Sequence, residues 1–102
     1  LDSKDLSGAA TAYRRAAELS PATSGYWVGL GHALALSNDA AGALAAYTTA
    51  LQREPNLDSV HYNMGVLLRR RGDLAGAAAH FRDALRIRPD YEAASKALAA
   101  LE

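Results

Sequence analysis

The chain has no cysteine, only three prolines, and a single residue each of tryptophan, phenylalanine and methionine. Without cysteine there is no disulfide framework and no thiolate chemistry, and the compartment stays open, with cytoplasm favoured over periplasm. No charge of one sign prevails, since eleven Lys and Arg balance eleven Asp and Glu. A neutral chain has no whole-molecule field to gather nucleic acid or an anionic membrane, so neither is expected as a partner. No apolar run approaches the roughly 20 residues a helix needs to cross a bilayer, and no signal-peptide layout opens the chain. Phosphate loops, nucleophile elbows and paired carboxylates are missing too, so no enzyme and no cofactor is expected. The first residue is Leu rather than Met, which suggests a piece cut from a longer protein.

What is present is alanine and a period. Half of the 102 residues are hydrophobic, with alanine the commonest, a composition that favours helices at close approach. Pro21, Pro55 and Pro89 stand 34 residues apart. Aligned on them, Trp27, Leu30, Gly31 and Leu34 fall opposite His61, Met64, Gly65 and Leu68. Ala43, Tyr47, Ala50 and Pro55 likewise fall opposite Ala77, Phe81, Ala84 and Pro89. A period of this length marks stacked supersecondary units.

Start and stop signals predict six helices. Asp5 precedes the apolar pattern of the first, which ends before Pro21; Ser24 caps the second, to about Ser37; Asn38 supplies a left-handed stop and Asp39 the next cap. Asp58, Gly72 and Asp73 repeat this logic, and Asp90 opens the last helix. Gly31 and Gly65, facing Ala43 and Ala77, leave room for close crossings, with Trp27, Tyr47 and Phe81 filling the space beside them. Short connections make consecutive helices antiparallel. The fold class expected is all-α, a right-handed α-solenoid of helix pairs. Residues 1–102 then form one domain: a half-repeat at 1–23, repeats at 24–57 and 58–91, and a terminal capping helix or half-repeat at 92–102.

On these residues the chain resembles the tetratricopeptide repeat family. The match runs through Trp27, Leu30, Gly31, Ala43, Tyr47, Ala50 and Pro55, then Met64, Gly65, Gly72, Asp73, Ala77, Phe81, Ala84 and Pro89. Ala9, Tyr13, Ala16 and Pro21 match an earlier half-repeat, and Leu98 and Ala99 a later one. His61 departs from the pattern, standing where a large residue such as Trp is usual. The resemblance implies a non-catalytic scaffold that holds a partner peptide or helix on the concave face lined by the first helix of each repeat. The lining residues would be Val28, His32 and Leu36, then Tyr62, Asn63, Val66, Arg69 and Arg70, then Lys96. Tyr62 would be the anchor, Arg69 and Arg70 the readers of an acidic peptide, and Asn63 a hydrogen-bonding group. The carboxylate clamp that grips heat-shock chaperones in some relatives is missing, with Asn63 alone fitting it. The alternative is the substrate-recruiting arm of a glycosyltransferase or sulfotransferase whose catalytic domain lies elsewhere.

The histidines look bland in sequence. Their separations of 29 and 19 residues match no short metal-ligand spacing, so no metal is expected. His61 reads as a core residue, His32 as a groove residue and His80 as solvated. Arg69, Arg70 and Arg71 have a structural reading, as cations at a helix C-terminus, beside the functional one for Arg69 and Arg70. The first helix lacks a partner over Ala9, Ala12, Tyr13 and Ala16, and self-association through that flank is expected.

Overall fold

The computed structural model describes residues 3–101, with side chains from Asp5 onward. The described chain is all helix and turn: α1 (Ser3–Leu19), α2 (Ser24–Leu36), α3 (Ala40–Arg53), α4 (Asp58–Arg70), α5 (Leu74–Ile87) and α6 (Glu92–Leu101). These helices fall into two compact units, Leu1–Pro55 and Asn56–Glu102. In the first, α2 packs on α1 and α3; in the second, α5 packs on α4 and α6.

Each unit is built on a helical hairpin with the same stop and the same cap. After α2, Asn38 takes φ 68°, and the Asp39 N–H reaches back to the Leu34 carbonyl at 2.8 Å. After α4, Gly72 takes φ 85°, and the Asp73 N–H reaches the Leu68 carbonyl at 2.9 Å. This left-handed closure satisfies carbonyls that the helix end would otherwise strand. Asp39 and Asp73 then cap α3 and α5, accepting from the Gly42 and Gly76 N–H groups at 2.9 Å each.

The hairpins cross where an aromatic ring lies on bare backbone. A Cβ on Gly31 would stand 2.6 Å from the Tyr47 ring, and one on Gly65 would stand 2.5 Å from the Phe81 ring. Tyr47 and Phe81 are almost wholly buried, beside Ala43 and Ala77 at zero exposure. Glycine here costs helix propensity of about 1 kcal/mol against alanine, an expense offset by the burial of a whole ring.

Four of the expected helix starts are displaced. Asp5 lies inside the first turn of α1, which begins at Ser3. Thr23, not Ser24, is the N-cap of α2; Ser24 is buried and donates its hydroxyl to a carboxylate oxygen of Glu54. Leu57 precedes α4, so Asp58 sits within its first turn, where a negative charge suits the positive end of the helix dipole. The last helix starts at Glu92, leaving Asp90 in the preceding turn, almost fully exposed. At α2, α4 and α6 a neighbouring residue closes the turn through its backbone, with the Tyr26, Val60 and Tyr91 N–H groups reaching the Thr23, Leu57 and Arg88 carbonyls at 3.1–3.2 Å. The polar side chain there turns to another partner.

Candidate functional site

In the first unit, α2 presents Val28 half-buried and His32 and Leu36 exposed. His32 is tied to the core: its Nδ1 lies 3.3 Å from the Tyr47 hydroxyl, and the rings meet edge-on with centroids 6.3 Å apart. A cleft of about 250 Å³ opens beside it, walled by Leu6, Ala9 and Tyr13 from α1 and by Gly29, His32 and Leu36 from α2. Leu36 is 63% exposed and Tyr13 40% exposed. The Tyr13 ring leans on Gly29, close enough that a Cβ there would collide with it. That contact partly covers the flank of α1 expected to be bare, leaving Ala9 and Ala16 half-buried and Ala12 exposed. Gly29 carried no signal in the sequence, because glycine within a helix does not announce which ring it receives.

The second unit divides the expected residues into two groups. Tyr62 and Val66 are partly buried and pack with Leu68, Leu98 and Leu101 against the core of Ala77, Phe81 and Ala97. Tyr62 lies between Phe81 and Tyr91, at centroid distances of 5.7 and 5.3 Å with the rings tilted by 45° and 36°. The expected anchor therefore spends most of its ring on its own fold. Tyr91 is held in turn by the Arg88 guanidinium, 4.2 Å above its ring, and burial pushes its phenol above the ordinary tyrosine value. Asn63 is half-buried, whereas Arg69 and Arg70 are exposed in the last turn of α4. Lys96 is exposed and paired with Glu92 at 2.9 Å along α6, a surface pair of small energetic weight.

His80 is not solvated as expected. It is half-buried, and its Nδ1 lies 3.1 Å from that of His61, which is 8% exposed. Desolvation, then the nearby His61, lowers the His80 pKa against an opposing pull from Asp83. Spacing along the chain could not show this meeting, because the two rings come from different helices.

A sequence profile described as tetratricopeptide repeat matches residues 1–58 and 37–92. The chain belongs to the tetratricopeptide repeat family. Its all-α fold recurs in solved structures. MamA superposes with a TM-score of 0.91 at 16% identity, over 94% of this chain and 56% of MamA, so this chain spans little more than half its length. The type III secretion chaperone SycD of Yersinia enterocolitica, solved with a peptide of the translocator YopD, gives 0.92 at 17% identity over 97% of this chain and 81% of SycD. An O-GlcNAc transferase of Thermobaculum terrenum gives 0.83 at 26% identity, over 97% of this chain but 19% of the enzyme. A search of curated proteins finds no match. In this tetratricopeptide chain the glycine–aromatic crossings join the two helices of each hairpin.

Proposed function

We propose that this tetratricopeptide chain is a non-catalytic interaction module that holds a partner peptide or short helix on the first-helix faces of its repeats. The observation that carries the reading is the cleft on the first unit, where Leu36 and Tyr13 stand open to solvent beside His32. Exposed leucine and tyrosine on one concave patch are what an apolar anchor of a partner would cover. One period after Ala35 and Leu36 come Arg69 and Arg70, exposed cations at the C-terminal end of α4. Their planar guanidinium groups favour a carboxylate held through two parallel hydrogen bonds. The first unit thus suits the aliphatic anchor of a peptide, and the second suits an acidic segment. That SycD was solved with a bound peptide supports peptide binding for a fold this similar. Val28, Asn63 and Lys96 complete the proposed faces, and Tyr62 and Val66 support them from below.

Fluorescence anisotropy with labelled peptides of acidic and basic composition tests this. Leu36→Ser/Arg69→Ala/Arg70→Ala should bind the acidic series at least about tenfold more weakly than the wild-type chain. Equal binding by both proteins would move the site to another face.

The flank of α1 around Ala12 and Tyr13 offers a second contact, for a further copy of this chain. Sedimentation should show association that Tyr13→Lys abolishes; a wild-type monomer at high concentration would exclude it.

The match to an O-GlcNAc transferase, of which this chain covers a small part, favours one other reading. There the chain would be the substrate-recruiting arm of a larger enzyme of glycosyltransferase or sulfotransferase type. The sequence of the parent gene decides it: a catalytic domain in the same reading frame supports the arm, and further repeats alone exclude it.

A further inference from the structure

The second unit gathers three side chains that its repeat architecture does not require. His61 on α4 and His80 on α5 face each other through Nδ1 at 3.1 Å, with ring centroids 5.4 Å apart. Asp83, on α5 at i+3 from His80, brings Oδ2 to 3.8 Å from the same His61 nitrogen. One ligand atom from each of the three lies within 4.8 Å of the others, and no other such group occurs among the described residues.

The sister repeat shows what these positions hold when they only pack. One period earlier stand Trp27, Ala46 and Thr49: a large ring, a small side chain and a hydroxyl, none of them a usual ligand of a transition metal. In the second unit all three become imidazole, imidazole and carboxylate together. Packing alone asks for none of these changes, and a buried histidine replacing an indole loses apolar contact.

The distances suit a small divalent ion. Two imidazole nitrogens at about 2.0–2.1 Å from a tetrahedral zinc stand about 3.3 Å from each other, close to the separation found. Asp83 Oδ2, at 3.8 Å from the His61 nitrogen, stands about half an ångström beyond that separation, and all three ligand atoms lie within 4.8 Å of one another. The Asp83 side chain is 43% exposed and has room to turn inward. Its other oxygen, Oδ1, faces the Arg86 guanidinium at 3.8 Å, a contact that orients the carboxylate without occupying Oδ2. Without an ion, one ring donates its N–H to the other.

We propose that His61, His80 and Asp83 form a binding site for a zinc-type divalent cation that clamps α4 to α5. Two histidines and one carboxylate leave a fourth position for water. The half-buried His80 and the exposed flank of Asp83 give the ion its entry.

Isothermal titration of the tag-free chain with zinc chloride, beside magnesium chloride, tests the site. Thermal unfolding is followed in parallel. The expected result is one zinc per chain, a raised melting temperature and no response to magnesium, which binds imidazole poorly. His80→Ala and Asp83→Thr install the residues of the sister repeat, so the fold should persist, as circular dichroism would verify. His80→Ala should weaken zinc binding by about 100-fold or more, and Asp83→Thr by about tenfold. Absence of zinc binding to the wild-type chain overturns the proposal, as does equal binding by a folded His80→Ala. Should His80→Ala unfold, the imidazole nitrogen resonances of the wild-type chain decide. Shifts at His61 and His80 on adding zinc support the site, and a shift at His32 alone overturns it.

Discussion

The two hairpins share a skeleton and tie it with opposite chemistry. In the first, the Ser24 hydroxyl at the start of α2 donates to Glu54 beyond the end of α3. One period later the acceptor has changed sides: Asp58 at the start of α4 takes a hydrogen bond from Arg88 beyond the end of α5, at 3.5 Å. Tyr47 reaches His32 through its hydroxyl, whereas Phe81 has none and Val66 stands where His32 would be. Trp27 donates its indole N–H to the Pro21 carbonyl at 2.9 Å, while His61 turns to His80. The glycine–ring crossing and the left-handed stop are common to both hairpins. The lesson is that the backbone geometry of this repeat is set by very few positions, and the remainder are free to specialise.

The strongest way to break the shared skeleton is to remove a ring. Phe81→Ala should cost about 3–5 kcal/mol in urea unfolding, as expected for a buried aromatic emptied to a cavity. A loss under 1 kcal/mol would show that the crossing does not organise the second hairpin. Next comes crowding the same crossing from the other side. Gly65→Ala should cost about 1–3 kcal/mol, because its new Cβ would meet the Phe81 ring at 2.5 Å; Gly31→Ala should behave alike against Tyr47. A stabilised variant would mean that helix propensity outweighs the collision. Removing a cap, by Asp39→Ala or Asp73→Ala, should cost about 0.5–2 kcal/mol, and unequal losses would reveal which hairpin depends more on its start.

The histidine pair gives a gentler contrast. His80 has a lowered pKa in the fold, so the unfolded chain binds its proton more readily. In metal-free buffer, its contribution is present above about pH 6.5 and is lost as the pH falls through the lower folded value. His80→Ala should flatten that dependence in pH-resolved unfolding, and an unchanged profile would assign the acid sensitivity to other groups. Smallest of all should be transplanting one end of the first hairpin's tie. Asp58→Ser installs the first hairpin's residue while leaving Arg88 on the Tyr91 ring, and giving up this partly exposed ion pair should cost about 0.2–1 kcal/mol in urea unfolding.

Much of the architecture was legible from one chain. The stops at Asn38 and Gly72, the caps at Asp39 and Asp73 and the crossings at Gly31 and Gly65 are local or repeated, so pattern alone finds them. Ser24, Asp58 and Asp90 deceived because a polar residue near a helix start can cap it, enter its first turn or reach elsewhere. Only the closing backbone geometry separates these outcomes. Tyr62 was correctly placed on α4, but its burial depends on Tyr91, a turn residue with no periodic signal. The meeting of His61 with His80 depends on the rotational phase of two helices, which a count of intervening residues does not carry.

The turns at residues 37–39 and 71–73 leave each hairpin almost no slack. A protease must thread several extended residues through its cleft, and such short reversals offer nothing to thread. Nicking there has to wait until a helix end unravels, so digestion of the native chain would time hairpin opening rather than loop wandering.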